Sequence, residues 1–365
     1  MQRRLILEKL TLNALAIGSL PNADTDSAME IVKKYFKDIP YWPQLSNVNS
    51  MQDMTVQYSE KFPGLLIDKD NQTFAFNPET EEFAEELEEL YTDFSEITDC
   101  ENFEPLEKYG IKPPYTTTFE PFLQIIRDTK PNFAKGQIVG PFTWGTMLTD
   151  SDNKCLFYDE TYRDIVVKIL ALKALWQIVK IKEANKDTVP VIFMDEPTMS
   201  QVGTSAFLTV KKSDIINAFD EICSVIRNNG GLSAIHCCGK ADWDMILECK
   251  PDIINFDAYS FNKNILTFSK SIKKFIENGG FIAWGIVPTL DKESLDKSDE
   301  NTLIQRLEET IQLMSEKGID KETLIRQSLI SPSCGAGGLD LIQAEYAMEL
   351  TQKISDILKR KYGVI

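Results

Sequence analysis

The chain has 365 residues, of which 43% are hydrophobic and 26% charged, a mixture typical of a globular protein with a sizeable core. Its 39 basic and 56 acidic residues give a formal net charge of −17, which argues against nucleic-acid or anionic-membrane partners, since both require clustered Lys and Arg. The sequence has no run of 18 apolar residues, so no membrane span is predicted. Its seven cysteines are irregularly spaced, which predicts reduced thiols in a cytoplasmic protein.

The N-terminal segment MQRRLILEKLTLNALAIGSLP has a basic start followed by apolar residues, as in a signal peptide. Glu8 and Lys9 interrupt the apolar run and no small-residue cleavage site follows, so we expect the segment to stay in the folded chain. NALAIGSLP (13–21) and IPYWPQLS (39–46) predict two strands. Between them, a helix is predicted over residues 25–37.

Residues 68–135 do not continue the alternation of strands and helices, and we predict that they form an insertion that covers one end of the fold. TEEFAEELEELYTDFSEI (80–97) predicts an acidic amphipathic helix. Its charged face is expected to be solvated.

From about residue 135 onward, short apolar runs alternate with helical patterns. The predicted strands are 137–140, 190–197, 232–238, 252–258, 281–287 and 324–331, and the predicted helices are 159–186, 213–229, 242–249, 264–279, 301–317 and 339–361. This rhythm implies parallel strands joined by crossover helices. With the two N-terminal strands the total is eight, which predicts one α/β domain over residues 1–365: a single (β/α)8 TIM barrel with an acidic helical insertion after the second strand. A doubly wound open sheet is the alternative, although the chain lacks its GxGxxG turn.

In such a fold the carboxyl ends of the strands and the loops after them build the site, and two potential metal ligands lie at the end of the fifth predicted strand. His236 and Cys238 are two residues apart in IHCCG, so in an extended segment they share one face. Imidazole and thiolate are preferred zinc ligands, and Cys334 in SPSCGAGG could supply a third. Asp257 could be a fourth ligand, or it could accept the imidazole N–H. The alternative is ordinary packing, because cysteine is often buried and a single buried His is common.

Two adjacent carboxylates, Asp195 and Glu196, end the fourth strand in FMDEPTM. One of them could hold a substrate amino group through a charge-assisted hydrogen bond, or act as an acid or base. The alternative is a helix N-cap.

Other candidates for substrate contact lie at or just after the ends of the first three predicted strands. Backbone amides around Ile17, Gly18 and Ser19 could bind a carboxylate, and a tight turn is the alternative. Gln44 and Trp144 are possible contacts at the same rim, or else part of the core and loops.

Together, AIGSLP, GPFTW, DEP, IHCCG and SPSCG, in this order, resemble the C-terminal domain of cobalamin-independent methionine synthases, within the uroporphyrinogen-decarboxylase-like superfamily. The resemblance implies one zinc ion per chain on His236, Cys238, Cys334 and a carboxylate, here Asp257. It also implies that Ile17, Gly18, Ser19 and Asp195 hold the carboxylate and amino group of homocysteine. Because the chain is long enough for one barrel only, it is similar to short "core" methionine synthases and to corrinoid-dependent thiol methyltransferases.

The function implied is a zinc-dependent methyltransferase that moves a methyl group from a methylated corrinoid, carried by a corrinoid protein, or from a methylfolate to a thiol. Homocysteine, giving methionine, is the expected acceptor, and a coenzyme M-type thiol is the alternative. Two further alternatives are a metal-independent uroporphyrinogen decarboxylase and a non-catalytic partner that binds a metal or a corrinoid.

Overall fold

The computed structural model describes residues 6–68 and 73–364, and it gives only the backbone of Asp68, Thr73 and Phe74. Arg3 and Arg4, the basic start of the N-terminal segment, and residues 69–72 of the predicted insertion lie outside the described residues. In chain order the helices and strands are α1 (Thr25–Tyr35), β1 (Leu65–Asp68), β2 (Thr73–Phe76), α2 (Phe83–Asp99), α3 (Phe119–Thr129), β3 (Phe133–Val139), α4 (Pro141–Met147), α5 (Glu160–Ala184), β4 (Val189–Asp195), α6 (Lys212–Asn228), β5 (Leu232–Cys237), α7 (Trp243–Glu248), β6 (Ile253–Phe256), α8 (Ala258–Ile265), α9 (Ser269–Glu277), β7 (Phe281–Val287), α10 (Lys292–Asp296), α11 (Glu300–Glu316), α12 (Lys321–Arg326), β8 (Ser328–Pro332) and α13 (Leu341–Tyr362).

Six parallel strands form the central sheet, in the order β3-β4-β5-β6-β7-β8. They coincide with the six strands predicted from residue 135 onward, apart from their ends. The start of the last one was misplaced, because Asp320 caps the short helix α12 and the strand begins only at Ser328. Consecutive strands are neighbours, as crossover helices between parallel strands require.

The predicted closed eight-stranded barrel is wrong. The two N-terminal segments predicted as strands form only isolated bridges, Ala14 with Ile330, Ser19 with Gln44 and Tyr41 with Lys135. Proline explains part of this, because Pro40 precedes the bridging residue Tyr41, Pro43 precedes the bridging residue Gln44, and neither proline offers an N–H to a ladder. A side chain takes over one backbone bond: Gln137 Nε2 donates to the Trp42 carbonyl at 2.9 Å. The architecture is therefore a six-stranded parallel sheet bordered by two irregular segments.

The region predicted as an insertion begins at the end of β1, inside the small antiparallel sheet β1-β2, and contains β2 and the acidic helix α2. The helix extends over 83–99, close to the predicted 80–97, and lies against α5. Tyr91 Oη on α2 donates to Asp164 Oδ2 on α5 at 2.6 Å. That residues 68–135 cover one end of the fold stays a prediction.

The longest helix, α5, is 25 residues long and is buried on most sides between the sheet and α2–α4. It carries two fully buried polar side chains, Lys173 and Gln177. Over residues 6–68 and 73–364, no helix combines the length and apolarity needed to cross a bilayer.

One face of the sheet is apolar near the amino ends of the strands and polar near their carboxyl ends, where the candidate site lies. Near the amino ends a compact apolar cluster includes Val191, Phe193, Leu232, Ala234 and Ile253. Because side chains alternate along a strand, the next residues on the same face are Asp195, His236 and Asn255. All three are buried, so the carboxyl end of this face is a polar layer on an apolar base.

Candidate metal centre

Three potential metal ligands meet at the carboxyl end of the sheet. One ligand atom from each of His236, Cys238 and Cys334 lies within 4.8 Å of the others. His236 lies in β5, Cys238 directly follows that strand, and Cys334 follows β8 by two residues. The predicted pairing of the HxC segment with Cys334 is present in the structure as a group that could hold a metal ion.

The orientation of His236 is set by Asn255, its register partner on β6. Asn255 Nδ2 donates to the Ala283 carbonyl and to Ser331 Oγ, both at 2.8 Å, so its Oδ1 is directed at the imidazole. His236 Nδ1 lies 2.5 Å from this Oδ1 and must therefore carry the proton. Nε2 is left with a free lone pair. It is buried and has no hydrogen-bond partner among the described residues.

The two thiols influence each other's ionisation. The nearby Cys334 thiol, and after it the imidazole of His236, lower the pKa of Cys238 despite its burial. The same proximity, together with burial, raises the pKa of Cys334. The pair therefore favours a single thiolate in the absence of a cation, because two negative sulfurs this close repel each other.

The segment that carries Cys334 is held from two sides. Thr289, just after β7, accepts from the Cys334 amide and donates to its carbonyl, both at 3.0 Å. On the other side, the Ala336 amide donates to the Ser19 carbonyl at 2.9 Å. Gly335 allows a close approach here, because a β-carbon would overlap the Ser19 hydroxyl and force it to move. The thiol therefore belongs to a fixed turn.

Asp257 does not join the three ligands. It is 1% exposed and serves as the N-cap of α8, where its Oδ1 accepts from the Ser260 amide at 2.7 Å. The predicted role as acceptor of the imidazole N–H needs correction, since Asn255 occupies that position. The reason is that strand β6 ends at Phe256, so Asp257 begins a helix instead of continuing the strand face.

Asp195 ends β4 and is paired in register with His236. It is 6% exposed, and its Oδ1 is buried without a hydrogen-bond partner among the described residues. Burial raises the pKa of Asp195, and the charges of Lys135 and then His236 oppose this rise. An unpaired buried carboxylate oxygen is costly, which indicates that a donor absent from the structure completes this position.

The carboxylate of Glu196 is hydrogen-bonded to groups inside the fold. Its fully buried carboxylate accepts from the amides of Phe142 and Thr143 and from Thr143 Oγ1, at 2.7–3.3 Å. These donors belong to the first turn of α4, where a carboxylate is favoured by the unsatisfied amides. Both of its oxygens are occupied, so we expect Glu196 to anchor α4, and its predicted contact with substrate stays untested.

The backbone carbonyls of Ile17, Gly18 and Ser19 all accept hydrogen bonds, whereas two amides of this segment are left without an acceptor among the described residues. The Gly18 and Ser19 carbonyls accept from Gln44 and Ala336, and the Ile17 carbonyl accepts from the Lys135 ammonium. The amides of Gly18 and Ser19 donate to no acceptor within the described ranges. They could donate to an anion, and their predicted contact with a substrate carboxylate stays a prediction.

The two predicted rim residues Gln44 and Trp144 are both buried. Gln44 Nε2 donates to Gln57 Oε1 at 2.7 Å, and Gln44 Oε1 would lie 2.6 Å from a β-carbon at Gly18. Trp144 is fully buried, and its Nε1 donates to the Thr55 carbonyl at 2.9 Å. Gln44 thus supports the Gly18 turn, whereas Trp144 belongs to the core.

Two functional candidates, Lys135 and Asn255, were missed by sequence reasoning. Each is a single polar residue inside an apolar strand, in FAKGQIV and IINF. A charged or amide side chain in a strand buried on both faces is itself a signal, because it must find a partner inside the fold.

Comparisons with known proteins do not assign the chain. No family model matches it, and no curated protein matches it. Among solved structures, a double mutant of an endo-β-1,4-mannanase from Cellulomonas fimi is similar at 14% identity and a TM-score of 0.37, over 69% of this chain and 62% of that one. An engineered protein is similar at 11% identity and a TM-score of 0.40, over 94% of this chain and 71% of that one. The chain thus spans less than two thirds of the mannanase, and similarities at this level support no functional argument.

The residues at the centre fit a metal ion by their own chemistry. One imidazole nitrogen and two sulfurs form a donor set of three, which leaves a coordination position open. The Nε2 of His236 adds support, because it is buried without a hydrogen-bond partner among the described residues and a metal ion would satisfy its lone pair.

Proposed function

We propose that this protein is a zinc-dependent thiol methyltransferase. The observation that carries the proposal is the convergence of His236, Cys238 and Cys334 with the Nε2 lone pair of His236 unpaired. Zinc is the metal proposed, since a His/Cys/Cys set with one open position is typical of catalytic zinc sites. Softer transition metals share this preference for thiolates, so the metal is decided by measurement.

When bound, zinc would supply the Lewis acidity that keeps a substrate thiol deprotonated at neutral pH. The chain's own residues do the rest. Asn255 fixes the tautomer of His236, and Thr289 and Ser19 hold the turn that carries Cys334. The free amides of Gly18 and Ser19 would accept an anionic group of the substrate.

The reaction proposed is displacement at a methyl carbon. The substrate thiolate forms the new S–C bond, and the methyl donor leaves with the electron pair of the bond that breaks. A thiol is a good nucleophile only as its thiolate, so deprotonation is the contribution the site must make. Methylcorrinoid, presented by a corrinoid protein, and methylfolate are the donors proposed, and a cytoplasmic location is part of the proposal.

Homocysteine is the acceptor implied by the sequence resemblance, and a coenzyme M-type thiol is the alternative. Both would place sulfur at the open position. They differ in charge, since homocysteine carries an ammonium group and coenzyme M does not.

The first test is metal analysis of the purified full chain, where we expect about one zinc per chain. His236→Ala and Cys334→Ala should lose it, whereas Cys223→Ala, at a buried cysteine outside the triad, should retain it. Full zinc occupancy in both ligand variants would refute the site.

The second test is methyl transfer, with methylcobalamin or methyltetrahydrofolate as donor and homocysteine or coenzyme M as acceptor. Formation of a thioether that depends on His236 and Cys334 supports the proposal. Zinc binding without transfer to any thiol would favour a non-catalytic metal-binding protein. Metal-independent turnover of a porphyrinogen would replace the proposal with a decarboxylase.

A further inference from the structure

Two of the three candidate metal ligands are thiols that lie beside each other. The sulfurs of Cys238 and Cys334 are within 4.8 Å of each other, and both residues are half-buried. Neither thiol is enclosed in the core, in contrast to Cys237, which directly precedes Cys238 and is fully buried. Because neighbouring accessible thiols react with oxidants, the pair is a candidate for oxidation as well as for metal binding.

The two cysteines are distant in the sequence and meet only in the fold. Cys238 directly follows β5, and Cys334 follows β8 by two residues. A disulfide bond is about 2 Å long, so the sulfurs would have to approach each other by less than about 3 Å. Rotation about a Cα–Cβ bond moves a sulfur by about 3 Å between staggered positions. The required approach is thus of the size that side-chain rotation provides.

We propose that Cys238 and Cys334 form a reversible disulfide when the site holds no metal ion and a peroxide is present. One sulfur attacks a peroxide oxygen, the O–O bond breaks, and a sulfenic acid and water form. The second thiol attacks the sulfenic sulfur, so that the S–S bond forms, the S–O bond breaks and a second water leaves. Two thiols and one hydrogen peroxide therefore give one disulfide and two waters, and the sulfurs lose the two electrons that the peroxide gains.

The disulfide would close the metal site, because both sulfurs are then engaged until a thiol reductant releases them. A bound metal ion has the opposite effect, since it occupies the sulfur lone pairs that attack the peroxide. The link also protects the site, because the second thiol traps the sulfenic acid before it is oxidised irreversibly to a sulfinic acid. This regulation rests on the proposed function, in which the metal activates the thiol acceptor, whereas the disulfide itself does not.

The test is oxidation of the full chain by hydrogen peroxide with and without zinc. Chelator-stripped protein and zinc-loaded protein, each with its metal content measured, are oxidised, alkylated and digested, and the peptides are identified by mass spectrometry. We expect a linked peptide pair that joins Cys238 to Cys334 in the metal-free chain and much slower linkage in the zinc-loaded chain. The linked chain should fail to bind zinc and should regain zinc binding after treatment with dithiothreitol.

Three variants separate this pair from general oxidation. Cys334→Ala should form no link and should accumulate sulfinic acid at Cys238. Cys100→Ala, at an exposed cysteine outside the metal group, should form the link as the wild type does. His236→Ala keeps both thiols but lacks one metal ligand, so added zinc should no longer slow the linkage.

Sulfinic acid at both cysteines without a link, in the metal-free wild type, would overturn the inference. Linkage at the same rate with zinc bound would overturn its regulatory part. A reduced chain that binds no zinc would instead refute the proposed function and the regulation with it, while a linked peptide pair from that chain would still establish the disulfide. The failures are therefore distinguishable.

Discussion

Replacing Asn255 with leucine should weaken metal binding without removing any ligand. Asn255 makes three buried hydrogen bonds: it accepts from His236 Nδ1 and donates to the Ala283 carbonyl and to Ser331 Oγ. Leucine has nearly the same shape and makes none of them. The imidazole would lose the acceptor that holds its proton on Nδ1, so part of the population would carry the proton on Nε2, where the metal must bind.

The magnitude follows from that one contact. Loss of a partner that orients a ligating histidine costs about 10- to 100-fold in metal affinity. This equals about 1.4–2.8 kcal/mol, within the cost of leaving one buried N–H unsatisfied. We expect the zinc dissociation constant of Asn255→Leu to rise by this factor, measured by competition with a chromophoric chelator at neutral pH.

Two control variants separate orientation from stability. Asn255→Asp keeps an acceptor for His236 Nδ1 but loses the donors to Ala283 and Ser331, so it should unfold at a lower temperature yet keep most of its zinc affinity. Gln327→Leu removes an amide that bridges the Ile276 and Gly280 carbonyls at the opposite end of the sheet, and should lower stability alone. The reasoning is refuted if Asn255→Leu binds zinc as the wild type does, or if Asn255→Asp loses as much affinity as Asn255→Leu.

Three further predictions concern neighbouring groups. Cys237→Ala should keep its zinc and lose about 1 kcal/mol of stability from a small cavity, whereas Cys238→Ala should lose the metal; equal zinc contents in the two variants would contradict the assigned faces. Burial raises the pKa of Glu196 to about 8 from 4.5, so the native state holds this proton longer than the unfolded one, and the Glu196 contribution to stability should fall as pH rises from about 4.5 to 8. The wild-type unfolding midpoint should therefore decline over this range more steeply than that of Glu196→Gln, and parallel profiles would argue against it. Burial lowers the pKa of Lys135 and of Lys173 to about 8 from 10.5, so the native state releases each proton before the unfolded state does. The free energy of unfolding of the wild type should therefore rise between pH 8 and 10.5 relative to that of Lys135→Met or Lys173→Met, as measured by denaturant titration.

The sequence predicted the local features of this protein well. The alternation of apolar runs with helical patterns predicted all six strands of the sheet and their parallel order, because each strand is buried on both faces and each crossover is a helix. The two-residue period placed His236 and Cys238 together and Cys237 on the other side, where it lies in the outer core. These properties depend on neighbouring residues only, so they can be read from spacing.

The sequence failed where a contact depends on strand ends or on pairing between distant segments. The sequence predicted Asp257 as a metal ligand or as the acceptor for His236 and did not point to Asn255, yet β6 ends one residue before Asp257 and its carboxylate caps a helix. The closed barrel failed for the same kind of reason, since Pro40 and Pro43 remove two amides from the second segment, and its remaining backbone bonds form only isolated bridges.

By itself, then, the sequence determined which residue types stand at the carboxyl ends of the strands, and hence that a His/Cys/Cys group was available. Only the tertiary structure decided that Cys334 meets His236 and Cys238 within 4.8 Å, that Asn255 holds the imidazole, and that the ammonium of Lys135 reaches the Ile17 carbonyl. The physical reason is that spacing fixes the face of an element on which a residue lies. Strand register, strand length and the need of buried polar groups for hydrogen-bond partners decide which faces meet.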